Sequence, residues 1–239
     1  MTAALFLVEQ LPSTDVVVLD GDEGRHARVK RLEVGEQVLV GDGQGAVLTC
    51  VVSSVTADRV EAAVVSRRDE SSPDPRLVVV QALPKGERAE LAVELLTELG
   101  VDEIVPWAAS RSVTQWRDGR ATRALDRWRR TAREATKQSR RAWLPVITEL
   151  ASTAEVAARL DASTAFVLHE SAKVALSTAE LPSNGTITLV VGPEGGITDV
   201  ELAGFGPARA VRLGDPVLRT STAGAAALAV LSARVGRWT

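Results

Sequence analysis

The order of apolar and polar positions divides the chain into two textures. Up to about residue 68, apolar residues come in short runs at 16–19, 37–40, 46–52 and 60–65, rich in β-branched side chains and parted by turns containing Gly and Asp. Such runs predict strands packed as a small barrel or sandwich. Gly41-Asp42-Gly43-Gln44-Gly45 joins two of them, and no helical pattern follows it. It predicts a hairpin turn with residues at positive φ, not a nucleotide-binding loop. Ser71-Ser72-Pro73-Asp74-Pro75 then breaks the pattern, because two prolines disfavour helix and sheet alike.

From Arg76 onward strand and helix alternate. Residues 77–82 predict an apolar strand. Residues 87–99 predict a helix with Leu91, Leu95, Leu96 and Leu99 on one face and Gly100 as its stop. Further strands are expected at 104–105, 165–168, 187–191 and 211–213, and helices at 120–141, from Thr198, and at 221–235. This alternation predicts an α/β domain around a mostly parallel sheet. The expected domains are 1–72 and 73–239.

Composition adds bounds. An apolar share of 45% with 25% charged residues is that of a folded globular chain, which excludes disorder as the starting assumption. The one cysteine, Cys50, cannot form an internal disulfide and lies in an apolar run, which predicts a buried thiol. No Cys/His spacing suits a metal, and no metal is expected. Near the N-terminus no basic segment precedes the apolar stretch, and Glu9 interrupts it, so no secretion signal is expected. The longest apolar run, 223–231, is far short of the ~20 residues that span a bilayer. The expectation is a cytoplasmic protein without a membrane partner.

The net charge of −3 conceals one strongly basic stretch. Ten Arg and Lys residues between 117 and 141 face three acids, Asp118, Asp126 and Glu134. Arg123, Arg127, Arg130, Lys137 and Arg141 recur at helical spacing, with Arg133 and Arg140 beside them. Leu125, Trp128, Ala132 and Ala135 take the opposite, core-facing side. A solvated face is one reading. Nearly uniform sign and the dominance of arginine favour bidentate phosphate contact, hence a nucleic acid. Arg25-His26-Ala27-Arg28-Val29-Lys30-Arg31 extends the basic track. With no tyrosine and three phenylalanines, aromatic base-stacking platforms are disfavoured.

The densest chemistry lies near the C-terminus. Val190-Val191-Gly192-Pro193-Glu194-Gly195-Gly196-Ile197-Thr198-Asp199-Val200-Glu201 predicts a strand, a glycine-rich loop and a helix start, with Thr198 and Glu201 at capping-box spacing. The loop lacks the lysine of a P-loop and the dinucleotide fingerprint, so a nucleoside-like ligand fits it better than a triphosphate. Glu194 is either a ligand contact or a carboxylate favoured by the nearby helix N-terminus. A second irregular loop follows 211–213, shaped by Gly214 and Pro216, with Thr220 or Ser221 expected to cap the last helix. Gly224, Ala225, Ala226 and Ala227 would admit another backbone close to that helix.

Gly192-Pro193-Glu194-Gly195-Gly196, followed by Leu213-Gly214 and Val217-Leu218-Arg219-Thr220, resembles the signature of the ribosomal RNA small-subunit methyltransferase E family, of the SPOUT class. Lys85-Gly86-Glu87-Arg88, Glu98-Leu99-Gly100-Val101, Arg127-Trp128, Glu134-Ala135 and Gln138-Ser139 add to the resemblance. So do Arg25-His26 and the stretch 29–34, and the match spans essentially the whole chain. The chain departs from the family pattern at Ser221, where many relatives have glutamate, and at Leu95, often lysine.

The resemblance implies an N-terminal PUA-like β-barrel followed by a SPOUT-type α/β domain with a C-terminal trefoil knot, acting as a homodimer. It implies S-adenosylmethionine as cofactor, held by Leu168, His169, Gly192, Pro193, Glu194, Gly195, Gly196, Leu213, Gly214, Leu218, Thr220, Ser221 and Ala223. The implied acceptor is N3 of one uridine in 16S ribosomal RNA, with Lys85 and Arg111 joining the basic residues above as RNA contacts. Two separated basic patches suit the assembled small subunit. Uracil N3 must lose a proton before it attacks a methyl group, and charge then spreads to the ring carbonyls. Arg219 is the guanidinium expected to stabilise that charge, its alternative being a tie to loop carbonyls. Glu194 and His169 are the candidates for the base. A related enzyme acting on another RNA, or a silent RNA-binding assembly factor, is the competing reading.

Overall fold

The computed structural model describes residues 3–57, 59–86, 88–117 and 119–238. Glu87 and Asp118, which enter the motifs above, lie outside the described residues. The chain forms two compact units, Met1–Ser72 with Thr136–Leu144, and Pro73–Ala135 with Pro145–Thr239.

The first unit holds strands β1 (Ala4–Leu7) and β2 (Val16–Leu19), helix α1 (Gly21–Val29), and strands β3 (Gln37–Gly41), β4 (Ala46–Val55) and β5 (Val60–Asp69). They form one sheet in the order β1-β3-β4-β5-β2, parallel between β1 and β3 and antiparallel elsewhere. Alternation sets the inner face: Val17 and Leu19 are buried while Val16 and Val18 are exposed, and Val38, Val40, Leu48, Cys50 and Val52 continue the core. The expected turn is present, with Gly43 and Gly45 at φ 73° and 106°. Gly45 is obligatory for a second reason: a Cβ there would lie 2.7 Å from the Trp143 ring and 2.6 Å from the Glu70 carbonyl. The Trp143 indole donates to that same carbonyl at 3.0 Å.

Two expectations fail in this unit. The short apolar stretch before Glu9, not expected as a strand, forms β1. The basic cluster 25–31, read as part of a strand region, lies on and just after helix α1. Acidic Asp22 and Glu23 in its first turn and basic His26 and Arg28 in its last suit the helix dipole, which a period-two reading overlooks.

The second unit contains β6 (Arg76–Ala82), α2 (Arg88–Glu98), β7 (Glu103–Trp107), α3 (Gly119–Ser139), β8 (Val146–Ile147), α4 (Thr153–Leu160), β9 (Thr164–Leu168), β10 (Val174–Ala175), β11 (Thr186–Val191), α5 (Asp199–Gly204), β12 (Arg209–Arg212) and α6 (Thr220–Arg234), the last turn of α3 counting with the first unit. Its sheet runs β10-β12-β9-β11-β6-β7-β8, and every pairing is parallel. Both faces are covered, which is why its strands are almost uninterrupted apolar runs. Leu77 and Val79 pack with Trp128, Leu96 and Leu228, whereas Val78 and Val80 pack with Val156, Leu160 and Phe205. The expected inner residues of α3, Leu125, Trp128, Ala132 and Ala135, are all buried.

Helix α2 is rotated from its expected face. Ala92, Val93, Leu96 and Thr97 are buried and Leu91 is 42% exposed. Small side chains let α2 approach α6, where a Cβ on Gly224 would stand 3.3 Å from Leu96, and Thr97 satisfies its hydroxyl on the Val93 carbonyl. What crowds Gly224 is the side chains of Val191, Gln81 and Leu96, not a second backbone. Among the described residues no helix is long and apolar enough to cross a membrane.

Candidate active site

Strand order reverses where β11 enters between β9 and β6, and ligands of open parallel sheets bind beyond strand carboxyl ends near such a reversal. A cavity of about 620 Å³ lies there, within the second unit. Three loops build it, 168–170 after β9, 191–197 after β11 and 211–220 around the end of β12, with Ala223 and Arg111. The volume suits a nucleoside-sized ligand.

Local chemistry fixes the loop after β11. A Cβ on Gly192 would lie 2.7 Å from the Ile197 side chain, so this position can only be glycine without displacement. Gly195 would meet Arg111 Cβ at 2.9 Å, and the Arg111 guanidinium donates to the Gly195 carbonyl at 3.2 Å. Gly196, at φ 76°, turns its amide back to the Pro193 carbonyl. Thr198 caps α5 through the expected capping box with Glu201. Glu201 Oε1 also accepts the Ser110 amide at 2.8 Å, fastening the segment that carries Arg111. Burial of Glu201 opposes its charge, but the donors of Ser110 and Thr198 outweigh it and hold the carboxyl below the usual carboxylate range.

Glu194 lines the cavity, and its Oε1 accepts the Lys85 amide at 3.1 Å. Arg219 lines it as well, exposed, and its guanidinium makes no hydrogen bond among the described residues. The tie to loop carbonyls considered as its alternative role is therefore not made. Its carbonyl instead starts α6 by accepting the amides of Thr222 and Ala223 at 2.9 and 2.8 Å.

Of the cofactor contacts expected from the sequence, all but Ser221 lie on this wall. Ser221 is 4% exposed and absent from the lining, because the first turn of α6 directs it inward. Neither Thr220 nor Ser221 caps that helix; Arg219 stands at the cap with no side-chain bond. Arg111, expected at the RNA, is part of the cavity. Asp215 and Val217, in the loop expected at the cofactor though not singled out as contacts, also line it, and so do Glu170 and Arg212, which nothing in the sequence spacing sets apart from ordinary loop residues.

The basic residues divide by burial and pairing. Arg123, Arg127 and Arg130 are exposed on α3, and Arg127 pairs with Glu90. Lys85 is exposed, and Arg133 and Arg141 are half-buried. In the first unit Lys30 and Arg31 are exposed, Arg25 pairs with Asp22, Arg28 donates to the Ala57 carbonyl, and His26 packs edge-on against Phe6. Lys137 is a correction: its side chain is 6% exposed and pairs with Glu23 at 3.3 Å, so it is withdrawn from any RNA surface. Arg31 and Arg140 share a rarer feature. Both are exposed and sit in the left-handed region, at φ 54° and 56°, just past the ends of α1 and α3.

Comparison with known proteins bears on both units. Residues 70–232 match the family described as RNA methyltransferase domain, and residues 19–65 match RNA methyltransferase PUA domain. The chain is 44% identical to Ribosomal RNA small subunit methyltransferase E of Mycobacterium bovis, over 100% of this chain and 94% of that one. The Bacillus subtilis protein of the same name is 29% identical over 94% and 92%. A crystal structure of a Ribosomal RNA small subunit methyltransferase E from Neisseria gonorrhoeae, bound to S-adenosyl methionine, superposes with a TM-score of 0.87 at 27% identity, covering 98% of each chain.

Proposed function

Because this chain belongs to the ribosomal RNA small subunit methyltransferase E family, we propose that it methylates N3 of one uridine in 16S ribosomal RNA with S-adenosylmethionine. The observation that carries the reading is a nucleoside-sized cavity with an arginine, Arg219, on its wall whose guanidinium has no hydrogen-bond partner among the described residues.

The residues present fit the cofactor. Gly192 and Gly195 pack directly against Ile197 and Arg111, which fixes the course of the loop along the cavity, and Leu168, Leu213 and Leu218 supply apolar wall. When bound, S-adenosylmethionine supplies a methyl group on a positively charged sulfur. The solved Neisseria relative carries that molecule, which supports the assignment.

The chain's own residues have three tasks. Arg219, its main chain pinned at the start of α6, offers a guanidinium to the uracil carbonyl oxygens as N3 loses its proton. Glu194 has one carboxylate oxygen on the Lys85 amide, and the other is the proposed acceptor of the N3 proton. The third task, proposed for the loops, is to shield the attacking atom from water once cofactor and RNA are bound. N3 lies on the pairing edge, so the uridine must be unpaired or turned out of its stack.

The PUA-like domain at 1–72 and the exposed arginines of α3 are proposed to hold the RNA, in the assembled subunit and in the cytoplasm. A homodimer and a knotted catalytic domain at 73–239 complete the proposal. The test is labelled methyl transfer to small subunits lacking this modification, with identification of the nucleoside. The expected product is 3-methyluridine. A different methylated nucleoside would replace the substrate, and RNA binding without methyl transfer would favour an assembly factor.

A further inference from the structure

His169, just beyond the carboxyl end of β9, lines the cavity. Its main chain is held on both sides: its amide donates to the Val211 carbonyl at 3.0 Å, and its carbonyl accepts the Ala172 amide at 3.1 Å. The ring is held too. The Ser171 backbone N–H donates to Nδ1 at 3.3 Å, and Ser171 Oγ lies 2.8 Å from the same nitrogen.

A backbone N–H can only donate. Nδ1 must therefore offer a lone pair, and in a neutral imidazole the proton then resides on Nε2. We infer that His169 serves the cavity as a hydrogen-bond donor through Nε2, recognising an acceptor oxygen or ring nitrogen of a nucleoside ligand, with Ser171 as the positioning residue that sets the tautomer. A base would have to turn a lone pair toward its substrate, whereas here the lone pair faces Ser171 and the N–H lies across the ring. Moving the proton to Nδ1 would let it donate to Ser171 Oγ but would set it against the Ser171 backbone N–H, whereas with the proton on Nε2 both the backbone N–H and the hydroxyl can donate to Nδ1. The N3 proton consequently goes to another group, and Glu194 is the remaining candidate of the two.

This inference rests on the cofactor reading of the cavity, and the test separates the two. Glutamine places an amide N–H close to where Nε2–H lies, while asparagine is too short to reach it. Calorimetric binding of S-adenosylhomocysteine and methyl-transfer kinetics are measured for the unaltered chain, His169→Gln, His169→Asn, Ser171→Ala and Ser171→Thr, each checked for an unchanged thermal midpoint. His169→Gln should weaken binding by about threefold and His169→Asn by about tenfold or more. Ser171→Ala keeps the backbone N–H that sets the tautomer and loses only the Oγ contact, so it should raise Kd by no more than about threefold, and Ser171→Thr should restore it. Normal binding by His169→Asn would overturn the donor assignment. Tight binding by His169→Gln with kcat down about a hundredfold or more would make His169 the base instead. No binding by the unaltered chain would overturn the cofactor reading and this inference with it.

Discussion

Arg111 and Gly195 occupy each other's space: the arginine Cβ stands 2.9 Å from where a Gly195 Cβ would be, and its guanidinium holds the Gly195 carbonyl at 3.2 Å. Packing of backbone against side chain at this range leaves no slack. Gly195→Ala should displace the 192–197 loop and weaken S-adenosylhomocysteine binding by about tenfold or more, an effect of at least ~1.4 kcal/mol. Titration calorimetry on the folded variant checks this, and unchanged affinity would mean the loop does not touch the ligand.

Arg219→Ala should remove charge stabilisation and leave the cavity standing, since the guanidinium makes no hydrogen bond among the described residues. We expect kcat to fall by about 10²–10³ with cofactor affinity nearly preserved. An equal loss of affinity would point to a binding role.

Arg31 and Arg140 hold backbone that glycine adopts at less cost. Arg31→Gly and Arg140→Gly should each stabilise the protein by about 1 kcal/mol while reducing the salt dependence of RNA binding by about one unit of slope for each phosphate no longer neutralised. Urea unfolding and binding titrations across salt concentrations read the two effects. Stabilisation with unchanged RNA binding would remove these arginines from the interface.

Lys137→Met is expected to behave in the opposite way. It leaves the Glu23 carboxylate buried without its ammonium, costing about 3 kcal/mol of stability. Its effect on the salt dependence of RNA binding should be smaller than that of Arg130→Ala.

Glu201 predicts an acid-sensitive hold on the glycine loop. Its folded carboxyl titrates below the unfolded one, so its bonds contribute fully above the ordinary carboxylate value near ~4.3 and are lost as pH falls through the folded value. Glu201→Gln should destabilise by about 2 kcal/mol at pH 7, and its deficit against the unaltered chain should shrink below about pH 4. A deficit constant with pH would show that the charge is immaterial.

Much of the second unit was legible because a two-sided parallel sheet writes itself as apolar runs between helical repeats. The loop after β11 was legible because its glycines and capping box are local signals. What escaped was whatever depends on distant partners. The burial of Lys137 is set by Glu23, the rotation of α2 by Gly224, and the inclusion of Arg111 in the cavity by its crowding of Gly195. Spacing along one segment carries no record of those encounters. Strand β1 is an apolar stretch of four residues, too short to distinguish strand from coil until it pairs with β3. Family resemblance supplied the cofactor and the acceptor atom, which no residue pattern encodes by itself.

The Trp143 ring that closes over Gly45 comes from chain made long after the hairpin it covers. During synthesis the β-rich unit therefore waits, with its turn uncapped and the Glu70 carbonyl without its indole partner, until α3 and the residues behind it have emerged. A fragment cut at Ser72 would lack that cover for good. The proline-rich boundary is a tempting place to divide this protein, but a version of the unit meant to stand alone would need 136–144 supplied to it, as a grafted segment or an added peptide.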